Sequence, residues 1–162
     1  MLDTLGTYFT GEKHGAVALL VIGGAALTAG LVLVATKSDY RAMAIPLGLV
    51  ALIQLAVGVG LYARTDPQVD ALVEQHTAEP TAMIAAETQR MGTVMKSFEI
   101  IKIVELVIIA LGVALTYAFA HRPAIHAVGI GLIIQATVML VFDLTAERRA
   151  VPYVDALHEA QT

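Results

Sequence analysis

The chain contains no cysteine. Disulfides, thiolate nucleophiles, iron–sulfur clusters and cysteine-based zinc sites are therefore excluded. Tryptophan is also absent, and the only serines are Ser38 and Ser97, both outside the apolar runs, so no Ser–His–Asp arrangement is implied. Charged residues make up only 15% of the chain, against about 25% in soluble domains. Lys and Arg number 10 against 14 Asp and Glu, a net charge of −4, with no basic stripe, so no nucleic-acid partner is expected. No glycine-rich phosphate loop precedes a helix. The GVG at 58–60 and GIG at 129–131 lie inside apolar runs and read as packing glycines.

Hydrophobic residues make up 57% of the chain, and mean hydropathy is +0.75. They are concentrated in runs. Residues 16–36, 42–63 and 123–142 contain no Asp, Glu, Lys or Arg, and 103–120 contains one, Glu105. Each approaches the roughly 20 residues that cross a bilayer core. Backbone groups in lipid must be satisfied within the segment, so these are expected to be helices. The predicted fold is all-α: four transmembrane helices as two tandem hairpins forming a four-helix bundle, with a cytoplasmic helical segment at 64–102. No cleavable signal peptide is expected, because the first apolar run is full length.

Lys13, Arg64, Arg90, Lys96, Lys102, Arg148 and Arg149 fall on one side of this arrangement, and Lys37, Arg41 and Arg122 on the other. The positive-inside rule then places both termini and 64–102 in the cytoplasm. A bacterial inner membrane is the expected location.

Residues 67–75, PQVDALVEQ, return as PYVDALHEA at 152–160, with six of nine positions identical. Gln54 and Gln135 stand near the middle of the second and fourth apolar runs, in ALIQLAV and LIIQATV. One reading is tandem duplication of 12–76 and 99–160, giving parallel halves about an axis along the membrane normal. Chance recurrence within a small residue vocabulary is the other. Under the first, Pro67 and Pro152 each begin a short cytoplasmic helix, since the first turn tolerates proline's missing amide hydrogen. Arg64–Pro80 otherwise reads as polar and turn-rich. Residues 1–14 are expected to form an interfacial helix or a partly ordered tail.

Small residues mark where helix backbones approach closely in lipid. Ala16, Gly23 and Gly30 recur by sevens in the first run. Ala110, Ala114 and Ala118 form a row in the third. A second seam on residues 80–112, Ile84, Met91 and Phe98, continues by sevens into Glu105 and Gly112. Two packing faces on one helix predict a homo-oligomer, with 80–102 available to a cytoplasmic or membrane protein partner.

An amide or carboxylate in hydrocarbon must find a partner. Gln54 and Gln135 are expected either to clamp two helices together or to line a pathway. Glu105 is expected to pair with Lys102, Lys13 or Arg148, or to serve function directly. Asp143 reads as a helix-end residue. The histidines form no deep pair of the kind a haem requires. Glu12, His14, Glu99 and His158 are the candidate ligands for a metal, but no Glu-x-x-His or HExxH pattern occurs. No cofactor is predicted.

Three functions are compatible with these features. The first is a small assembly or interaction subunit that oligomerises. The alternative is a channel or transporter with Gln54, Gln135 and Glu105 along its pathway. The third is a membrane-embedded lipid-, quinone- or metal-binding enzyme. No catalytic constellation is evident.

Overall fold

The structure is a computed structural model and describes residues 1–161. It consists of four long helices and, among the described residues, no strand. They are α1 (Leu2–Ala35), α2 (Ala44–Ala78), α3 (Pro80–Ala118) and α4 (Pro123–Glu159). A single 3-10 turn, Arg41–Met43, leads into α2. Helices α1, α2 and α4 are long and apolar enough to cross a membrane. The charge-free stretch of α3 begins only after Glu105 and stops with the helix at Ala118.

Local chemistry sets the breaks. Proline disfavours helical backbone in the residue before it. Glu79, before Pro80, and Arg122, before Pro123, both leave the helical region, and each proline occupies the first turn of the next helix. Between α1 and α2 the chain turns through Lys37, whose φ of 52° is left-handed. There the Ser38 amide donates to the Leu33 carbonyl and the Lys37 amide to that of Val34, closing the end of α1.

Pro67 and Pro152 behave differently. Both lie inside helices, so neither repeat begins a new one as expected, and 64–78 is helix rather than turns. An interior proline forfeits a hydrogen bond and crowds the preceding turn. The flanking turns are held by packing instead: Leu72 beyond Pro67, and Ala150 and Tyr153 around Pro152, are buried in one cluster.

The four helices have 34, 35, 39 and 37 residues, so each is about 50–60 Å long. A bilayer core uses roughly 30 Å of that. Helices α1 and α2 pack as one antiparallel hairpin and α3 and α4 as another. Helix α4 also touches both α1 and α2. The largest buried cluster is not at mid-length but at the end holding both termini. There Leu5, Tyr8 and Phe9 of α1 meet Leu72 of α2, Met83, Ile84 and Met91 of α3, and Ala150, Tyr153 and Leu157 of α4. The N-terminal stretch is thus helix and not a partly ordered tail. It continues α1 and buries its aromatics, with Tyr8 stacked on Tyr153 at 4.9 Å.

Away from that end, contact is made by small residues. A Cβ on Gly23 would stand 3.1 Å from the Ala51 carbonyl, and one on Gly58 3.0 Å from the Ala16 carbonyl. Between α3 and α4 the approach is closer still. A Cβ on Gly129 would lie 2.5 Å from Thr116 Oγ1 and 2.7 Å from the Gly112 carbonyl.

Candidate functional site

Gln54 on α2 and Gln135 on α4 come together at the middle of the bundle, 1% and 2% exposed. Gln54 Nε2 donates to Gln135 Oε1 at 3.4 Å and lies 3.2 Å from Met139 Sδ. Gln135 Nε2 donates to the Leu47 carbonyl at 3.5 Å. Among the described residues, the buried Gln54 Oε1 has no hydrogen-bond partner. Gly23 of α1 closes the third side, its position for a Cβ 3.1 Å from Gln54 Cβ. The lengths are at the long limit of hydrogen bonding, so this is a loose contact between two amides.

The other sequence-marked small residues divide into two groups. Ala16 and Gly30, like Gly23, are buried. Gly30 faces Ala44 across the α1–α2 interface. Ala110, Ala114 and Ala118 are all exposed. The seam on α3 turns inward within the same chain: Ile84, Met91, Glu105 and Gly112 are buried, and Phe98 is half-buried.

Glu105 meets none of its expected cationic partners. Lys102 binds Glu147 at 2.6 Å and Lys13 binds Asp66 at 2.6 Å, while Arg148 is exposed. Its acidic neighbour is Asp143 on α4, and among the described residues Glu105 Oε2 has no hydrogen-bond partner. Asp143 is accordingly a buried interior residue of α4 and not a helix end. The reason is rotational. Lys102 lies one turn earlier on α3 but reaches across to Glu147, leaving the two acids facing each other.

A third polar cluster, unmarked in the sequence, lies in the terminal core. Glu87 is 3% exposed and accepts two hydrogen bonds from Arg90, both 2.7 Å, and one from Tyr153 Oη at 3.0 Å. Arg90 lies 5.8 Å from the centre of the Phe9 ring. Burial pushes the Tyr153 hydroxyl well above the usual phenol range, and the adjacent Glu87 charge adds to the rise. Tyr8 is raised too, by burial and then by Glu12. Arg90 is three residues after Glu87, an ordinary exposed-helix spacing. Only the arrival of Tyr153 and Phe9 from other helices makes it interior.

The candidate metal ligands are not assembled. Glu12 binds Arg64 at 3.2 Å, while His14, Glu99 and His158 are exposed. Among the described residues no three His, Asp or Glu converge. Polar chemistry is therefore concentrated in the glutamine pair, the carboxyl pair and the Glu87–Arg90–Tyr153 group. No protein-family model, curated protein or solved structure matches this chain.

Proposed function

We propose that this chain is a small assembly subunit of a bacterial inner membrane, with four crossings and both termini cytoplasmic, which self-associates through the outer face of α3. The supporting observation is that face itself. Between residues 103 and 118 only Glu105 and Gly112 are buried. Ala110, Ala114 and Ala118 stand exposed beside Val107 and Leu111, which are 61% and 51% exposed. The small residues of α1 are used inside the hairpin, but among the described residues nothing packs over this row. A small-xxx-small row in lipid lets a second helix approach closely.

The absence of native cysteine makes the test clean. Ala114→Cys is expected to cross-link to a dimer under mild oxidation in membranes, and Ala114→Trp to lose the oligomer. Gly60→Cys, at an exposed position on α2 where a Cβ would meet nothing within 4 Å outside its own helix backbone, is the control expected to stay un-cross-linked. Equal cross-linking at both positions would sink the reading.

A second reading, transport along Gln54, Gln135 and Glu105, is favoured by one observation: Gln54 Oε1 and Glu105 Oε2 are both buried and unpartnered. Solute flux into liposomes should then fall in Gln54→Leu, Gln135→Leu and Glu105→Gln. Flux unchanged in all three would remove it. Tandem duplication fits the pairing of α1 with α2 and α3 with α4, and the meeting of the two glutamines between α2 and α4.

A further inference from the structure

We infer that the groove between α1 and α4 binds an anionic phospholipid, with Arg149 taking the phosphate and an acyl chain lying against Ala18, Ile22, Val138 and Phe142. This rests on the membrane placement above but not on self-association. The groove has a volume of about 460 Å³ and opens to the surroundings along its side. Its walls are apolar through the stretch where α1 and α4 cross the membrane. From Thr137 to Arg149 it follows α4 for about 18 Å, a length that suits a lipid tail rather than a compact solute. At the end nearer the terminal core, His14 and Arg149 replace the apolar lining.

Arg149 is built into that end. Its Nη1 donates to the Gly11 carbonyl. Its side chain crosses α1 over Gly11 and Gly15, where a Cβ would stand 3.2 Å from Arg149 Cδ and 3.1 Å from Nη2 respectively. Two glycines one turn apart thus leave the slot in which the guanidinium lies. A guanidinium has five N–H donors, so a single carbonyl leaves most of them unused. Among the described residues Arg149 has no carboxylate partner, whereas Lys13, Arg64, Arg90 and Lys102 each have one.

A fixed cation at the cytoplasmic mouth of an apolar groove between helices complements a phosphate group with a tail attached. A zwitterionic headgroup would bring its own cation toward Arg149. An anionic headgroup such as phosphatidylglycerol would not, and this sets the expected preference.

The test is native mass spectrometry of the full chain released from membranes of equal phosphatidylglycerol and phosphatidylcholine. Retained phosphatidylglycerol is expected to exceed phosphatidylcholine about fivefold, the factor that one cation near an anionic surface supplies. Arg149→Gln should bring the ratio to about one, while Arg148→Gln, a change at an exposed neighbour, should leave it. Ala18→Trp fills the groove while retaining the Arg149 cation, and should lose both lipids. The proposal is overturned if Arg149→Gln keeps the preference, or if Arg148→Gln lowers it equally. It is also overturned if the mass that Ala18→Trp removes is a second copy of the chain. Should Arg149→Gln not fold, Ala18→Trp decides alone: undiminished phosphatidylglycerol in that variant overturns the site.

Discussion

Gln54 and Gln135 stand out in the sequence because an amide in an apolar run has few ways to be satisfied. The structure answers with the other amide, at a long 3.4 Å. A double-mutant cycle of Gln54→Leu and Gln135→Leu should report a coupling of about 0.5–1.5 kcal/mol, because interhelical hydrogen bonds in lipid are individually modest. A coupling near zero in thermal unfolding would mean that the contact holds nothing together. The buried phenol of Tyr153 makes stability depend on alkaline pH. Its hydroxyl stays protonated in the fold above the ordinary phenol value of 10.0, so the folded state holds a proton that the unfolded chain has released. This contribution is fully present below pH 10 and is lost as pH rises beyond it. Tyr153→Phe should flatten the alkaline fall in melting temperature. At neutral pH it should cost about 1–2 kcal/mol, because the buried Glu87 carboxylate loses a donor. An unchanged alkaline limb would show that Tyr153 is not the group that titrates. Nothing in the sequence pointed to this cluster. Glu87 and Arg90 read as a solvated pair in a polar stretch, and their burial depends on Phe9 and Tyr153, which are distant in sequence.

The four helices were legible as elements, because apolar runs near bilayer length and prolines after Glu79 and Arg122 act locally. Their extent was not. The local cost of Pro67 and Pro152 argued for breaks, yet both helices continue, because residues beyond each proline are buried in the terminal core. Glycines show the same division between local propensity and packing. A Cβ on Gly92, within α3, would meet nothing within 4 Å outside its own helix backbone, so Gly92→Ala should stabilise the fold by up to about 1 kcal/mol through helix propensity alone. Gly129 is also inside a helix, but a Cβ there would be 2.5 Å from Thr116 Oγ1. Gly129→Ala should destabilise the α3–α4 hairpin by about 3 kcal/mol, since neither backbone can yield freely. Opposite shifts in melting temperature would confirm that close backbone approach joins these two helices. Two stabilising shifts would show that they can separate at little cost.

The proposed count of four crossings rests on parity. Residues from all four helices meet in one core, and that core holds the N-terminal end of α1, the C-terminal ends of α2 and α4, and the N-terminal part of α3. If α1 and α2 cross the membrane and return, the chain leaves α2 on the side of the core. Helix α4 also ends in the core, so crossing the membrane requires it to start on the far side. On that condition the chain between Ala78 and Pro123 crosses as well, and α3 is the element between them. This supports a fourth span despite Glu105, whose carboxyl is turned toward Asp143 and away from lipid. Reporter fusions that are active on only one side of the membrane should then give the same side after Gln161 and ahead of Met1, and the opposite side within 119–122. A single cysteine at Tyr117, 81% exposed near the far end of α3, should react with an impermeant maleimide only from the face opposite the termini. Termini on opposite faces would mean three crossings. The shared core could not then form as described, and α3 would have to lie along the membrane surface.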